Sequence, residues 1–174
     1  ADELTELPAR DREGAQLRPI ADAVHEGSLE AIGRSLLEYV GFAASNATPA
    51  AAEEFATSCL ELMRASGRND IAVSAVVSLS SLMAATDRTQ QAIEFGAEAG
   101  DLADAIGDRA TYIRASGCLA LGHYVAGDAG RSEDVLPHAL RRARDWNDEA
   151  LIGLTHAQVC RVAFMTGQYE VTVD

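Results

Sequence analysis

The sequence predicts an all-α protein, an antiparallel helix-pair solenoid, and three observations carry that prediction. The chain repeats itself every 40 residues: Gly67–Ile106 aligns with Gly107–Trp146 and then with Asn147 onward. In this register Leu79 falls over Leu119 and Val159, Ser80 over Ala120 and Cys160, and Asp87 over Gly127 and Gly167. Phe55 over Phe95 and Leu62 over Leu102 carry the pattern back to Gly27. A fixed period of this size marks stacked repeats. Apolar residues also recur at steps of three and four, with no sustained alternation of period two. Finally, 48% of the residues are hydrophobic but only 5% are aromatic, so alanine supplies much of the apolar content. Alanine favours helix and lets helix backbones approach closely.

Taken in order, residues 1–17 are polar, charged and interrupted by Pro8, and read as a tail. Pro19 fits the first turn of a short helix running toward His25, where its missing N–H is not needed. Residues 1–26 are thus a tail with a short capping helix. Residues 27–174 form the repeat domain, divided as 27–66, 67–106, 107–146 and a partial 147–174, about three and a half repeats. Gly27-Ser28 stops one helix and caps the next. Helix A of the first unit covers 28–46, and Thr48-Pro49 opens its helix B. Asn69 and Asp70 open the next helix A, which ends near Thr86. Asp87 with Gln90 resembles a capping box for a helix B running to Ile106. Gly107-Asp108 opens the third helix A, Gly127-Asp128 makes its turn, and helix B runs to Trp146. Asn147 and Asp148 open the last helix A, which stops near Thr166. The one strand signal is a weak one at Val171–Val173.

Helix pairs of this kind bury their apolar faces only by stacking on neighbours, and close stacking needs small residues where helices cross. Ser80, Ala120 and Cys160 supply them in helix A, with Val40 larger in the first unit. Ala52, Ala92 and Ser132 do so in helix B, as do Cys59, Ala99 and Ala139 seven positions later.

These spacings resemble the tetratricopeptide repeat, and Leu119–Asp128 looks especially like that family's helix A and turn. The resemblance covers about residues 28–169. It departs in its 40-residue length, in lacking a tryptophan early in helix A, and in lacking the proline that closes helix B. The resemblance implies a right-handed superhelix. It is similar to the arrays of bacterial signalling proteins, which sit beside helix-turn-helix activator or diguanylate cyclase domains. It further implies a concave groove lined by helix A, where Arg34, Arg114, Leu121, Tyr124, Arg161 and Phe164 are the candidate ligand or peptide contacts. Three arginines in a mostly small, apolar groove would meet a carboxylate or phosphate, or pair with neighbouring acids.

The formal charge is −13, from 27 acidic and 14 basic residues, and every basic residue is arginine. Such a surface repels phosphate backbones, so nucleic acid is not an expected partner. Without lysine there is no Walker-type phosphate lysine and no Schiff base. No apolar run is long enough to span a membrane, and the N-terminus lacks a signal pattern, so the expected location is the cytoplasm. Cys59, Cys118 and Cys160 are odd in number and widely spaced, which argues against a disulfide framework. Cys59 and Cys160 read as core, and Cys118 has no base arranged beside it. His123 and His156 are offset by seven residues across adjacent repeats, too far apart to share a metal, and read as structural. Arg141, Arg142 and Arg144 read as a solvated helix end.

No nucleophile, acid–base pair or metal set assembles, so the expectation is a non-catalytic protein-interaction or ligand-sensing module, a piece of a larger regulator, without a cofactor. The alternative is a self-association scaffold, since Leu151, Leu154, Val159 and Val162 would lack a covering helix B and invite a homodimer. A helical enzyme has no residues to support it.

Overall fold

A computed structural model describes residues 9–46 and 48–167. The described residues form eight helices and no strand: α1 (Ala9–Glu26), α2 (Leu29–Ser45), α3 (Pro49–Ala65), α4 (Asn69–Ala85), α5 (Thr89–Ile106), α6 (Arg109–Val125), α7 (Ala129–Asp145) and α8 (Glu149–Thr166). The protein is an all-α helical array. The strand signal at Val171–Val173 lies outside the described residues.

The turns explain why the helices stop where they do. Gly27, Gly67, Gly107, Gly127 and Gly167 all have φ between 69° and 82°, the left-handed region that costs glycine nothing. Asp87 (59°) and Asn147 (51°) hold the same conformation, which short polar side chains tolerate better than most. From Gly67 to Gly167 a left-handed residue therefore recurs every 20 positions, half the sequence period. The next residue's N–H then reaches back to the carbonyl five positions earlier: Arg68 to Met63 (2.8 Å), Arg88 to Met83 (2.9 Å), Asp108 to Ala103 (2.9 Å) and Asp128 to His123 (2.9 Å). This satisfies a carbonyl that the helix end leaves without a donor.

Caps follow on the other side of each turn. Ser28, Asp108, Asp128 and Asp148 each accept the N–H three residues on. The capping box expected at Asp87 and Gln90 does not form. Asp87 is consumed by the left-handed turn, Arg88 is the N-cap, and the Gln90 amide donates to Glu94 at 2.9 Å. Thr48 is an N-cap in backbone only, because its hydroxyl turns back to the Ala43 carbonyl at 2.8 Å.

The N-terminal expectation is corrected more strongly. Helix α1 begins at Ala9, and Pro19 lies inside it rather than in its first turn. The proline removes only the N–H that would bond the Ala15 carbonyl, and its ring is exposed, so water can serve that carbonyl.

The chain divides into two compact units, the first ending at Ala75 and the second starting at Val76. In the first, α2 packs on α1 and α3. A Cβ on Gly33 would lie 2.8 Å from the Met63 sulfur and 3.0 Å from Ile71, so glycine is what lets those side chains close in. The Tyr39 and Phe55 rings pack at 4.3 Å. Cys59 is buried against the Gly33 carbonyl at 3.6 Å, and burial pushes its thiol up to about 11. It is core, as expected.

In the second unit α6 is the central helix, packed on α5, α7 and α8, and α7 also packs on α8. The small-residue columns meet as the repeat requires. Ser80 donates to the Ala92 carbonyl at 2.8 Å, and Ser132 donates to the Ala120 carbonyl at 2.8 Å. Positions 80 and 120 share one column, and 92 and 132 the other. The same helix crossing is thus bonded twice, with the hydroxyl moved from one helix to its partner. Cys160, third in the first column, is exposed rather than core. Its counterpart in the register, residue 172, lies outside the described residues.

The apolar face of α8 is also corrected. Leu151 and Val162 are buried and Leu154 and Val159 half-buried. Leu151 joins Ile113, Ala139 and Ala143 in one core cluster. The exposed apolar side chains of α8 are instead Phe164 (73% exposed) and Met165 (54%). Among the described residues no helix is long and apolar enough to cross a membrane.

Candidate functional site

Helix α6 presents two opposite faces, and they differ in kind. One carries Arg114, Gly117, Leu121 and Tyr124, positions expected to line a groove, with Cys118 beside them. The other carries Tyr112, Ser116, Leu119 and His123, at the i, i+4, i+7 and i+11 spacing of a single helical stripe.

The expected groove face is largely filled. Leu121 is only 4% exposed and belongs to the core, so it offers a ligand nothing. Arg161 is half-buried and spent internally: its Nε donates to Gln158 at 3.0 Å and an Nη reaches the Cys118 sulfur at 3.5 Å. Both side chains lie over Gly117, where an added Cβ would press on the Gln158 amide oxygen and come within 3.1 Å of the Arg161 guanidinium. Cys118 is buried, 3.1 Å from the Ser81 hydroxyl. Tyr124 donates to the Thr166 carbonyl at 3.1 Å, tying α6 to the end of α8. Arg114 is exposed, and no described residue takes a hydrogen bond or ion pair from it; Phe164 is exposed at the end of α8.

Arg34 belongs to the first unit, where it pairs with Glu30 one turn away at 3.0 Å. Glu30 also receives Arg68 at 3.3 Å, and Arg68 grips Asp70 at 2.9 Å. That grip holds the Asp70 carboxyl below its ordinary range. Arg34 is a surface ion-pair residue with a neighbouring acid.

The other face of α6 is open. A cleft of about 560 Å³ runs between α5 and α7 with the α6 stripe as its floor. This lies within the range of ligand sites, roughly 300–1,000 Å³. Its shape follows from glycines used in two ways. Gly96 lets α5 approach α6 so closely that a Cβ there would sit 3.0 Å from the Leu119 Cα. Gly100, one turn on, faces open space, with nothing within 4 Å of where its Cβ would be. The α7 wall carries Arg131, Asp134, Val135, His138 and Arg141, and α5 adds Asp101. Pro137, inside α7, also lines it.

His123 is the unusual residue of the floor. It is 8% exposed, and its imidazole makes no hydrogen bond to a described residue. Burial lowers its pKa below the ordinary histidine range; the Asp128 carboxylate opposes that shift and Arg131 reinforces it. The imidazole is neutral near pH 7, with one donor and one acceptor to offer. Its position explains the burial: residues 23, 43, 63, 83, 103, 123 and 143 are the buried positions six before the first residue of the next helix, and all others are Ala or Met.

Beside the cleft, and sharing Tyr112 with it, lies a cavity of about 200 Å³. Here Arg142 is not a solvated helix end. Its guanidinium lies 4.3 Å from the Tyr112 ring centroid and 4.9 Å from that of Trp146, and it bonds Asp104 at 2.5 Å. The Tyr112 and Trp146 rings meet edge-on at 5.8 Å, and Arg109 lies 5.2 Å from the Trp146 ring. The Asp104 bond leads the causes that raise the Arg142 pKa further.

Arg141 alone of the arginine cluster was singled out by sequence among the cleft's charged residues. His123, a polar residue in an otherwise apolar column, and glycines 96 and 100 on one helix are the sequence signals that reach the rest, although His123 by itself reads as structural. Among the described residues no three His, Cys, Asp or Glu side chains gather to hold a metal. Compared with known proteins, the chain matches no family profile and no curated sequence.

Proposed function

We propose that this chain is a non-catalytic binding module, a tetratricopeptide-like array of the bacterial regulator type, whose ligand-binding site is the cleft between α5 and α7. The observation that carries this reading is His123: a buried imidazole that hydrogen-bonds no described residue, on the floor of a ligand-sized opening. A buried polar group without a partner costs about 1–3 kcal/mol. A bound ligand that supplies the partner recovers it. The groove expected from the repeat resemblance is a weaker site, because Arg161 and Gln158 occupy it and Leu121 is buried beneath it. The bound partner is a protein segment or a small ligand, and the module reports its presence to whatever it is joined to.

A fragment screen followed by amide chemical-shift mapping tests the reading. Binding fragments are expected to perturb α5, α7 and the 112–123 stripe of α6. Gly100→Leu fills the open space beside Gly100 and removes a helix glycine, so it should abolish those perturbations without loss of stability. Fragments that bind only around Arg114 and Arg161, or that survive Gly100→Leu unchanged, would sink the cleft as the site.

A further inference from the structure

The cleft's length, its charges and its buried imidazole constrain what can occupy it, and on the reading that it is a binding site we infer that it takes an extended peptide segment carrying charges of both signs. The floor runs from Tyr112 to His123, eleven steps along the helix and so roughly 16 Å at about 1.5 Å per residue. An extended chain advances about 3.3 Å per residue, so the cleft matches about five residues of strand-like peptide. A single amino acid would leave most of it empty.

The cleft holds charges of both signs. Arg131, Asp134 and Arg141 line it from α7 and Asp101 from α5, in a chain whose net charge is −13. Arg131 is pinned by Asp128 at 3.3 Å. Arg141, Asp101 and Asp134 form no ion pair with a described residue, so their charges are turned outward rather than cancelled internally. A ligand of a single sign would place one of its charges against a like charge of the wall, a cost that discriminates between partners. One carrying an acid and a base separated along its length finds an opposite charge for each.

His123 supplies the third constraint. A neutral imidazole offers one donor and one acceptor, and a peptide group offers the complementary acceptor and donor. Leu119 and Val135 flank it with apolar surface for intervening side chains.

Blocked pentapeptides test this directly. Ac-Lys-Ala-Ala-Ala-Glu-NH2 and its reverse, Ac-Glu-Ala-Ala-Ala-Lys-NH2, would be titrated beside the double-Lys, double-Glu and double-Gln versions, read by amide shifts of the full chain. One mixed-charge order is expected to bind at least about threefold more tightly than any other peptide. Arg141→Gln, at an exposed position, should erase that preference. His123→Leu should weaken all five, and circular dichroism of both variants checks that they fold. Equal or tighter binding of a same-sign or uncharged peptide in the cleft would overturn the charge inference and leave the cleft as a binding site. Failure of every pentapeptide to perturb the cleft would overturn the peptide inference, and the fragment screen then decides separately whether the cleft binds anything.

Discussion

The two faces of α6 are made from the same ingredients, glycine and arginine, and end in opposite states. On one, Gly117 is a recess that Arg161 and Gln158 of α8 fill, so the arginine becomes packing material. On the other, Gly100 is a recess that nothing fills, and Arg141 stands at an open cleft. A small residue in a helical array is therefore ambiguous. It makes room, and whether the room is taken depends on which neighbour has a side chain long enough to enter.

That contrast can be broken by altering the glycines, and the largest effect is expected at Gly96. Its neighbour is the Leu119 backbone, which cannot swing away as a side chain can. Gly96→Val should cost about 2–3 kcal/mol, measured by urea denaturation, because α5 and α6 must part. A loss below about 1 kcal/mol would mean that the two helices are not in the contact described.

A smaller effect comes from pH. His123 has a pKa lowered by burial, so below the ordinary histidine value of about 6.5 the unfolded chain binds the proton more readily than the native one. Stability therefore falls as pH drops through that window and is regained above it. The charged groups acting on His123 are Asp128 and Arg131, and Asp101, Asp134, His138 and Arg141 line the same cleft. Thermal midpoints recorded from pH 7.5 to pH 5 should converge for the wild type and His123→Leu at one end and separate at the other. Parallel curves would show that the imidazole is already solvated.

The smallest effect is expected on the filled face. A Cβ on Gly117 meets two flexible side-chain ends, the Gln158 amide oxygen and the Arg161 guanidinium, and the Gln158 Cβ at 3.1 Å, which must give by a few tenths of an ångström. The helix gains from losing a glycine, so Gly117→Ala should stay within about 1 kcal/mol of wild type. If it costs as much as Gly96→Val, Arg161 and Gln158 are held rigidly and that face is a built structure rather than an occupied gap.

Much of the array was legible from residue types with strict local demands. Glycines at 27, 67, 107, 127 and 167 mark left-handed turns, and Ser28, Asp108, Asp128 and Asp148 mark the caps beside them. The small-residue columns indicated helix crossings, and the Ser80 and Ser132 bonds occur at those crossings. The failures share a cause. Asp87 suits both a cap and a left-handed turn, and its own sequence neighbourhood does not decide between them. Pro19 inside α1 is tolerated because its surroundings are exposed, which is a matter of burial. The candidate site was least legible. The fate of Gly117 depends on Arg161, 44 positions later, and the openness at Gly100 depends on which side chains of α7 fail to reach it.

Tyr112 borders both the cleft and the edge contact with Trp146, and this has an optical consequence. Trp146 is the chain's one tryptophan, packed against Tyr112 and two guanidinium groups. The molecule thus carries its own fluorophore a single ring away from the cleft. Whatever moves Tyr112 changes the surroundings of that indole, and emission from one residue becomes a label-free gauge of occupancy.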